Sequence, residues 1–111
     1  MALTRDFKDL VKQRADRDPE FRRGLVIYAM EAFLDNDLNT CKASLRTYVK
    51  ATIGFEKFGK ELGKQPTSLR GMLSESRNPL ANNLVAIICF LKKREGIEIK
   101  ISASGNPPVE I

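Results

Sequence analysis

The sequence predicts an all-α fold, a helical bundle of about six helices closed by one short C-terminal β-strand. Three observations predict it. Apolar side chains recur at three- and four-residue spacing through most of the chain. Helix boundaries are sharply marked, with Asp18–Pro19 at one start and Gly54, Gly63 and Gly96 at the ends of others. A period of two occurs once, over Ile97, Ile99 and Ile101 alternating with Glu98, Lys100 and Ser102.

Taken in order, the first helix is expected from Arg5 to about Ala15. Thr4 is its cap, Asp6 lies in its first turn, and Phe7, Leu10 and Val11 form a narrow apolar stripe. In the second, Asp18 caps and Pro19 fills the first position, where no amide hydrogen is needed. It runs to about Leu34 and is apolar over most of its circumference, so it reads as the central core helix. A contact with a second copy or another protein is the competing reading, with Phe21 and Tyr28 as contact candidates. Asp35–Asn36–Asp37 is a turn. A third helix fits Leu38 to about Ile53, with Leu38, Cys41, Leu45, Tyr48, Val49 and Thr52 on one face. Lys42, Arg46 and Lys50 recur on another, read as a solvated charged face. Two short helices follow, about Phe55–Leu62 and Thr67–Leu73, then a longer one from about Ala81 to Arg94 cored by Leu84, Ile87, Ile88 and Leu91.

The alternating run after Gly96 reads as a strand without a partner in the chain. A lone strand leaves backbone donors and acceptors unpaired, so pairing of Ile97, Ile99 and Ile101 with the same strand of a second copy is expected, giving a homodimer. Residues 105–111 read as a flexible tail.

Composition narrows the function. The chain has 111 residues, 42% of them hydrophobic, which suits one domain with a core. Lys and Arg total 19 against 14 Asp and Glu, a net charge of +5. Residues 1–36 balance at zero, so the excess lies in residues 37–111. The organisation expected is an N-terminal helical region over 1–36, a basic functional region over 37–104, and the tail. A basic balance favours a polyanionic partner. There is no His, no nucleophile motif, no glycine-rich phosphate loop and no cluster with metal-ligand spacing, so neither an enzyme nor a cofactor or metal is expected. Cys41 and Cys89 lie too far apart for a redox or zinc motif, and both read as small buried hydrophobes. The start MALTRDFKDLVKQR lacks a signal-peptide apolar core, and no window reaches the roughly 20 apolar residues of a membrane span. The expectation is a soluble protein of a reducing compartment, the bacterial cytoplasm.

The informative stretch is FEKFGKELGKQPTSLRGMLS, residues 55–74. Two short helices meet across Gly63, which supplies the positive φ of a tight turn. Phe58, Leu62, Leu69 and Met72 form the small core between them. Gly59 marks their closest approach, and Pro66 pre-sets the second helix. This is the spacing of a helix-turn-helix, whose second helix enters the major groove. Gln pairs with adenine and Arg with guanine there, and Thr and Ser reach bases or phosphates. Gln65, Thr67, Ser68 and Arg70 are therefore the candidate base-reading residues. Lys60, Lys64, Arg77 and Asn78 flank them as candidate phosphate contacts, with Asn82 and Asn83 at the start of the next helix.

The same stretch resembles the lambda-repressor-like helix-turn-helix of phage-repressor-like (XRE-type) transcriptional regulators. It resembles more closely the antidote (antitoxin) proteins of bacterial addiction modules. The continuation Met72–Leu73–Ser74–Glu75–Ser76–Arg77–Asn78–Pro79, the Leu84-x-x-Ile87-x-x-x-Leu91 helix, the closing GIEIKI and the opening TRDFKDLVKQRADRDPEFRRGLVIYAMEAFL are also similar to that family. The resemblance implies an all-helical, dimeric protein that binds operator DNA, represses its own operon and neutralises a small protein toxin. Lys64 stands where an apolar residue is usual after the turn glycine, and Gly71 where many members present a side chain to the groove. Both departures thin the expected base readout. The alternatives are a stand-alone phage-type repressor and a helical protein-interaction module without DNA binding.

Overall fold

The computed structural model describes residues 5–105, with side chains from residue 7 onward. The expected Thr4 cap, the side chain of Asp6 and the tail 106–111 lie outside the described residues. Six helices follow one another: α1 (Arg5–Arg17), α2 (Pro19–Leu34), α3 (Leu38–Ala51), α4 (Phe55–Leu62), α5 (Pro66–Met72) and α6 (Ala81–Arg94). Among the described residues no helix is long and apolar enough to cross a membrane.

The boundaries follow the local chemistry. The Asp18 carboxylate accepts the Phe21 amide at 3.1 Å, Pro19 stands at the first helical position, and α2 begins there. Asn36 takes a left-handed φ of 61° in the turn that follows α2. Asp37 then caps α3, accepting both the amide and the hydroxyl of Thr40. Those two bonds favour the ionised carboxylate and hold its pKa below the ordinary value. Helix α5 begins at Pro66 and ends at Met72, one residue earlier at each end than its spacing predicts.

α2 lies between α1, α3 and α6. It buries Val26, Ala29 and Ala32. Around them close Cys41, Leu45, Tyr48 and Val49 of α3, Phe55 and Phe58 of α4, Leu69 of α5 and the inner stripe of α6. α2 is thus covered on more than one side, as a helix apolar over most of its circumference requires, but Ile27, Tyr28 and Leu34 remain 41%, 57% and 80% exposed. Of the two contact candidates, Tyr28 faces solvent, whereas Phe21 is half-buried beneath the Arg14 guanidinium, 4.7 Å from its ring centre. On α1 the apolar stripe is only partly used. Ala15 is buried and Val11 half-buried, while Phe7 and Leu10 stay exposed.

One further expectation is corrected, and another is not met within the single chain. Cys41 is buried but Cys89 is exposed, because it lies on the outer side of α6, away from Leu84, Ile87 and Leu91. Over 97–104 no strand forms among the described residues. A ladder needs a second strand, and this chain has no other period-two run. Ile97 packs against the core, with its amide bonded to the Lys92 carbonyl at 3.0 Å, whereas Ile99 and Ile101 are 53% and 93% exposed.

Candidate nucleic-acid interface

α4 and α5 are joined by a three-residue turn over 63–65. Gly63 takes the left-handed conformation (φ 69°, ψ 33°) that ends α4. The Lys64 amide bonds back to the Gly59 carbonyl at 2.9 Å. Gly59 is buried, and a Cβ there would stand 2.6 Å from the Lys64 carbonyl oxygen. The two helices therefore approach as closely as backbone allows. Phe58 and Leu69 are fully buried between them, with Leu62 and Met72 partly buried alongside. Phe58 also meets Phe90 of α6, ring centres 5.5 Å apart, which locks the unit to the bundle.

This geometry presents the start of α5 outward. Gln65 occupies the N-cap position in extended conformation and makes no capping bond through its side chain. Thr67 and Ser68 follow, exposed, in the first turn. Lys60, Lys64 and Gln65 line one shallow depression with Glu56, Gly59, Gly63 and Pro66. The structure thus brings together three of the candidates named from sequence, with one carboxylate among them.

Arg70 points elsewhere. Its guanidinium stacks 5.3 Å from the Phe55 ring centre, and Nη2 lies 3.9 Å from the Glu56 carboxylate. Arg77 is exposed, and its guanidinium lies over the backbone of Gly71, where a Cβ would stand 3.0 Å from Nη1. The missing side chain at 71 thus makes room for a cation on the same face. Asn78 is exposed. Asn82 and Asn83 open α6, exposed and half-buried, and no hydrogen bond among the described residues ties them to α4 or α5.

The basic row of α3 is corrected from a solvated face. Lys42 is 1% exposed, and its Nζ donates to the Arg77 carbonyl at 2.6 Å. Arg46 donates from Nη1 to the Leu73 carbonyl at 2.5 Å. Leu73 is the C-cap of α5, so Arg46 lies where the helix end and its last carbonyls favour positive charge, while Lys42 holds a carbonyl further along the chain. Together they fasten the chain that leaves α5. Lys50 stays exposed, and burial, followed by repulsion from Arg46, Lys8 and Arg70, holds its pKa below the ordinary value. Sequence spacing does show Lys42 one step from Cys41 and three from Leu45, beside the apolar stripe. A long aliphatic stem with a charged tip fits that border, but only tertiary contact shows which way it turns.

A second group was also missed from sequence. Glu95 is buried and accepts Arg22 Nε at 3.2 and 3.3 Å and the Tyr48 hydroxyl. Arg94 donates to that hydroxyl at 2.9 Å, Arg23 to the Glu95 carbonyl at 3.1 Å, and Arg22 also to the Ala15 carbonyl at 2.7 Å. This network joins the end of α1 to α2, α3 and the end of α6. Burial, followed by the bond to Glu95, raises the Tyr48 pKa. Every group has a partner inside the protein, so the role is structural.

No protein-family model matches the chain, and no curated protein and no solved structure matches it.

Proposed function

We propose that the chain is a sequence-specific DNA-binding transcriptional regulator, with α4 and α5 as its helix-turn-helix and α5 entering the major groove. The observation that carries the reading is the start of α5. Gln65, Thr67 and Ser68 stand exposed there, their side chains free of capping or other hydrogen bonds among the described residues, beside Lys60 and Lys64. Unpaired polar groups at a rigid helix start, flanked by cations, suit base edges and phosphates. The backbone contact at Gly59 makes the unit stiff enough to hold a groove register.

Arg77 over Gly71 adds a phosphate contact, and the α3 cations Lys42 and Arg46 set its position. Arg70, paired with Phe55 and Glu56, reads a base only after leaving them. Within this class the specific reading is the antitoxin of a type II toxin–antitoxin module, a cytoplasmic homodimer that represses its own operon and neutralises a small toxin. A stand-alone repressor would use the same surface. The exposed Ile99 and Ile101, with Ile97 anchored on the core before them, support a two-stranded ribbon formed between two copies. The second reading, a protein-interaction module, is favoured by the retracted Arg70 alone.

The test is binding to a labelled fragment of the gene's own upstream DNA against scrambled competitor, across a salt series. Specific binding should leave two half-sites about one helical turn, roughly 34 Å, apart. Gln65→Ala or Thr67→Ala should cost about tenfold and relax specificity at one position, while Lys60→Glu should weaken all sequences alike and flatten the salt slope. Equal weak binding to both DNAs, lost steeply with salt, would reduce the interaction to counterion release and overturn the reading.

A further inference from the structure

The groove between α2 and α6 is small but lined by apolar side chains throughout. It holds about 160 Å³ and is lined by Met30, Phe33, Leu34, Val85, Ile88 and Ile99. Ile27, two turns before Leu34 and exposed, extends the same open side of α2. Large apolar side chains grouped on adjacent elements mark a contact surface, unlike single exposed ones.

The charges around this face have an order. Arg22 and Arg23 bind Glu95 at one end of the helix pair, while Leu34 and Val85 share the groove at the other, so α2 and α6 run antiparallel. The last turn of α2 has no basic residue, and its exposed charges there are Glu31 and Asp35. The last turn of α6 carries Lys92 and Lys93 there, while Arg94 and Arg23 nearby are engaged with Tyr48 and Glu95. One end of the apolar strip is therefore acidic and the other basic. Such a strip is complementary to itself when a second copy is turned by a two-fold axis through its middle. Acidic end then meets basic end twice, and the apolar centres meet each other.

We propose that a second copy of this chain seats on the α2/α6 groove in this antiparallel, two-fold arrangement. The inference deepens the homodimer of the reading above by naming the surface, and it stands or falls without DNA. Ile99 joins the groove to the run that would form the ribbon, so the two contacts are continuous.

The experiment is sedimentation equilibrium of the full chain without DNA, with circular dichroism to verify folding. Wild type should be dimeric at about 100 μM protein, since self-association follows concentration. Leu34→Glu with Val85→Glu should weaken association by at least about tenfold while leaving the helical spectrum unchanged, because Leu34 is 80% exposed and removes nothing from the core. Glu31→Lys with Asp35→Lys, which makes both ends basic, should weaken it by about two- to fivefold per charge pair at low salt. A monomeric wild type overturns the proposal, and so does a dimer of unchanged affinity in the Leu34/Val85 variant. Unchanged association in the Glu31/Asp35 variant overturns the antiparallel arrangement. A dimer that ignores operator DNA refutes the regulator reading and leaves this surface intact.

Discussion

The close approach of α4 and α5 permits a test in which one substitution, made at two glycines, moves stability in opposite directions. Gly59→Ala places a methyl 2.6 Å from the Lys64 carbonyl oxygen, with Pro66 carbons at 3.4 Å. The obstructing atom is backbone, and the Lys64 amide is itself bonded to the Gly59 carbonyl, so the turn cannot yield without losing that bond. Overpacking costs about 1–3 kcal/mol, and about 2–3 kcal/mol where the obstructing atom is backbone, while exchanging a helical glycine for alanine returns about 1 kcal/mol. The net expectation is a loss of about 1–2 kcal/mol. In Gly71→Ala the methyl meets only the far end of the Arg77 side chain, at 3.0 Å from Nη1. That side chain is exposed and swings aside, so the helical gain of about 0.5–1 kcal/mol survives. Thermal unfolding followed by circular dichroism should show Gly59→Ala melting about 4–8 °C below wild type and Gly71→Ala a few degrees above it. A Gly59→Ala protein as stable as wild type, or both variants shifted together, would refute the backbone-contact argument. The Gly71→Ala variant should at the same time bind DNA more weakly, since it displaces Arg77.

Three other outcomes are expected. Glu95→Gln leaves Arg22 and Arg94 without their carboxylate; breaking a buried pair costs about 3–5 kcal/mol, and with Arg22 26% exposed a loss of about 2–3 kcal/mol is expected in denaturant titration. Arg46→Met removes the charged bond to the Leu73 carbonyl, costs about 1.5 kcal/mol, and should speed amide exchange over residues 73–80 more than in α2. The Cys41 thiol is pushed up to about 11 from 9.0, by burial first and by Asp37 next, with Lys42 opposing. Its folded-state value is the higher one, so the stabilisation is complete below pH 9 and is lost as pH rises through 11. Stability should fall by on the order of 2 kcal/mol across that window, and Cys41→Ala should flatten the fall. At neutral pH an exposed-thiol reagent should modify Cys89 and spare Cys41 until unfolding.

Much of the helical order was legible because its signals are local. The Asp18–Pro19 start, the Gly63 turn and the Phe55–Leu62 span each depend on backbone preferences within a few residues, and each stands where the spacing puts it. Gly59 was legible as well, since a small residue on the inner face of a short helix before a tight turn has one geometric reason. The candidate face was half legible. Gln65, Thr67 and Ser68 follow from the start of α5, but the direction of Arg70 does not, because Phe55 is fifteen positions away and their stacking is tertiary.

The sequence by itself determined the helices, their caps and the close α4–α5 pair, since hydrophobic period and turn chemistry act over one or two helical turns. Tertiary structure alone decided which charges turn inward. Lys42 reads from spacing as part of a solvated face and Glu95 carries no local signal, yet one clamps the chain after α5 and the other ties four helices, because each meets partners 35 to 73 residues away. It also decided that α2 keeps one side open and that Ile97 turns to the core while no strand forms over the described residues 97–104. Burial and ladder formation depend on what lies opposite, and no local pattern along a single chain specifies that.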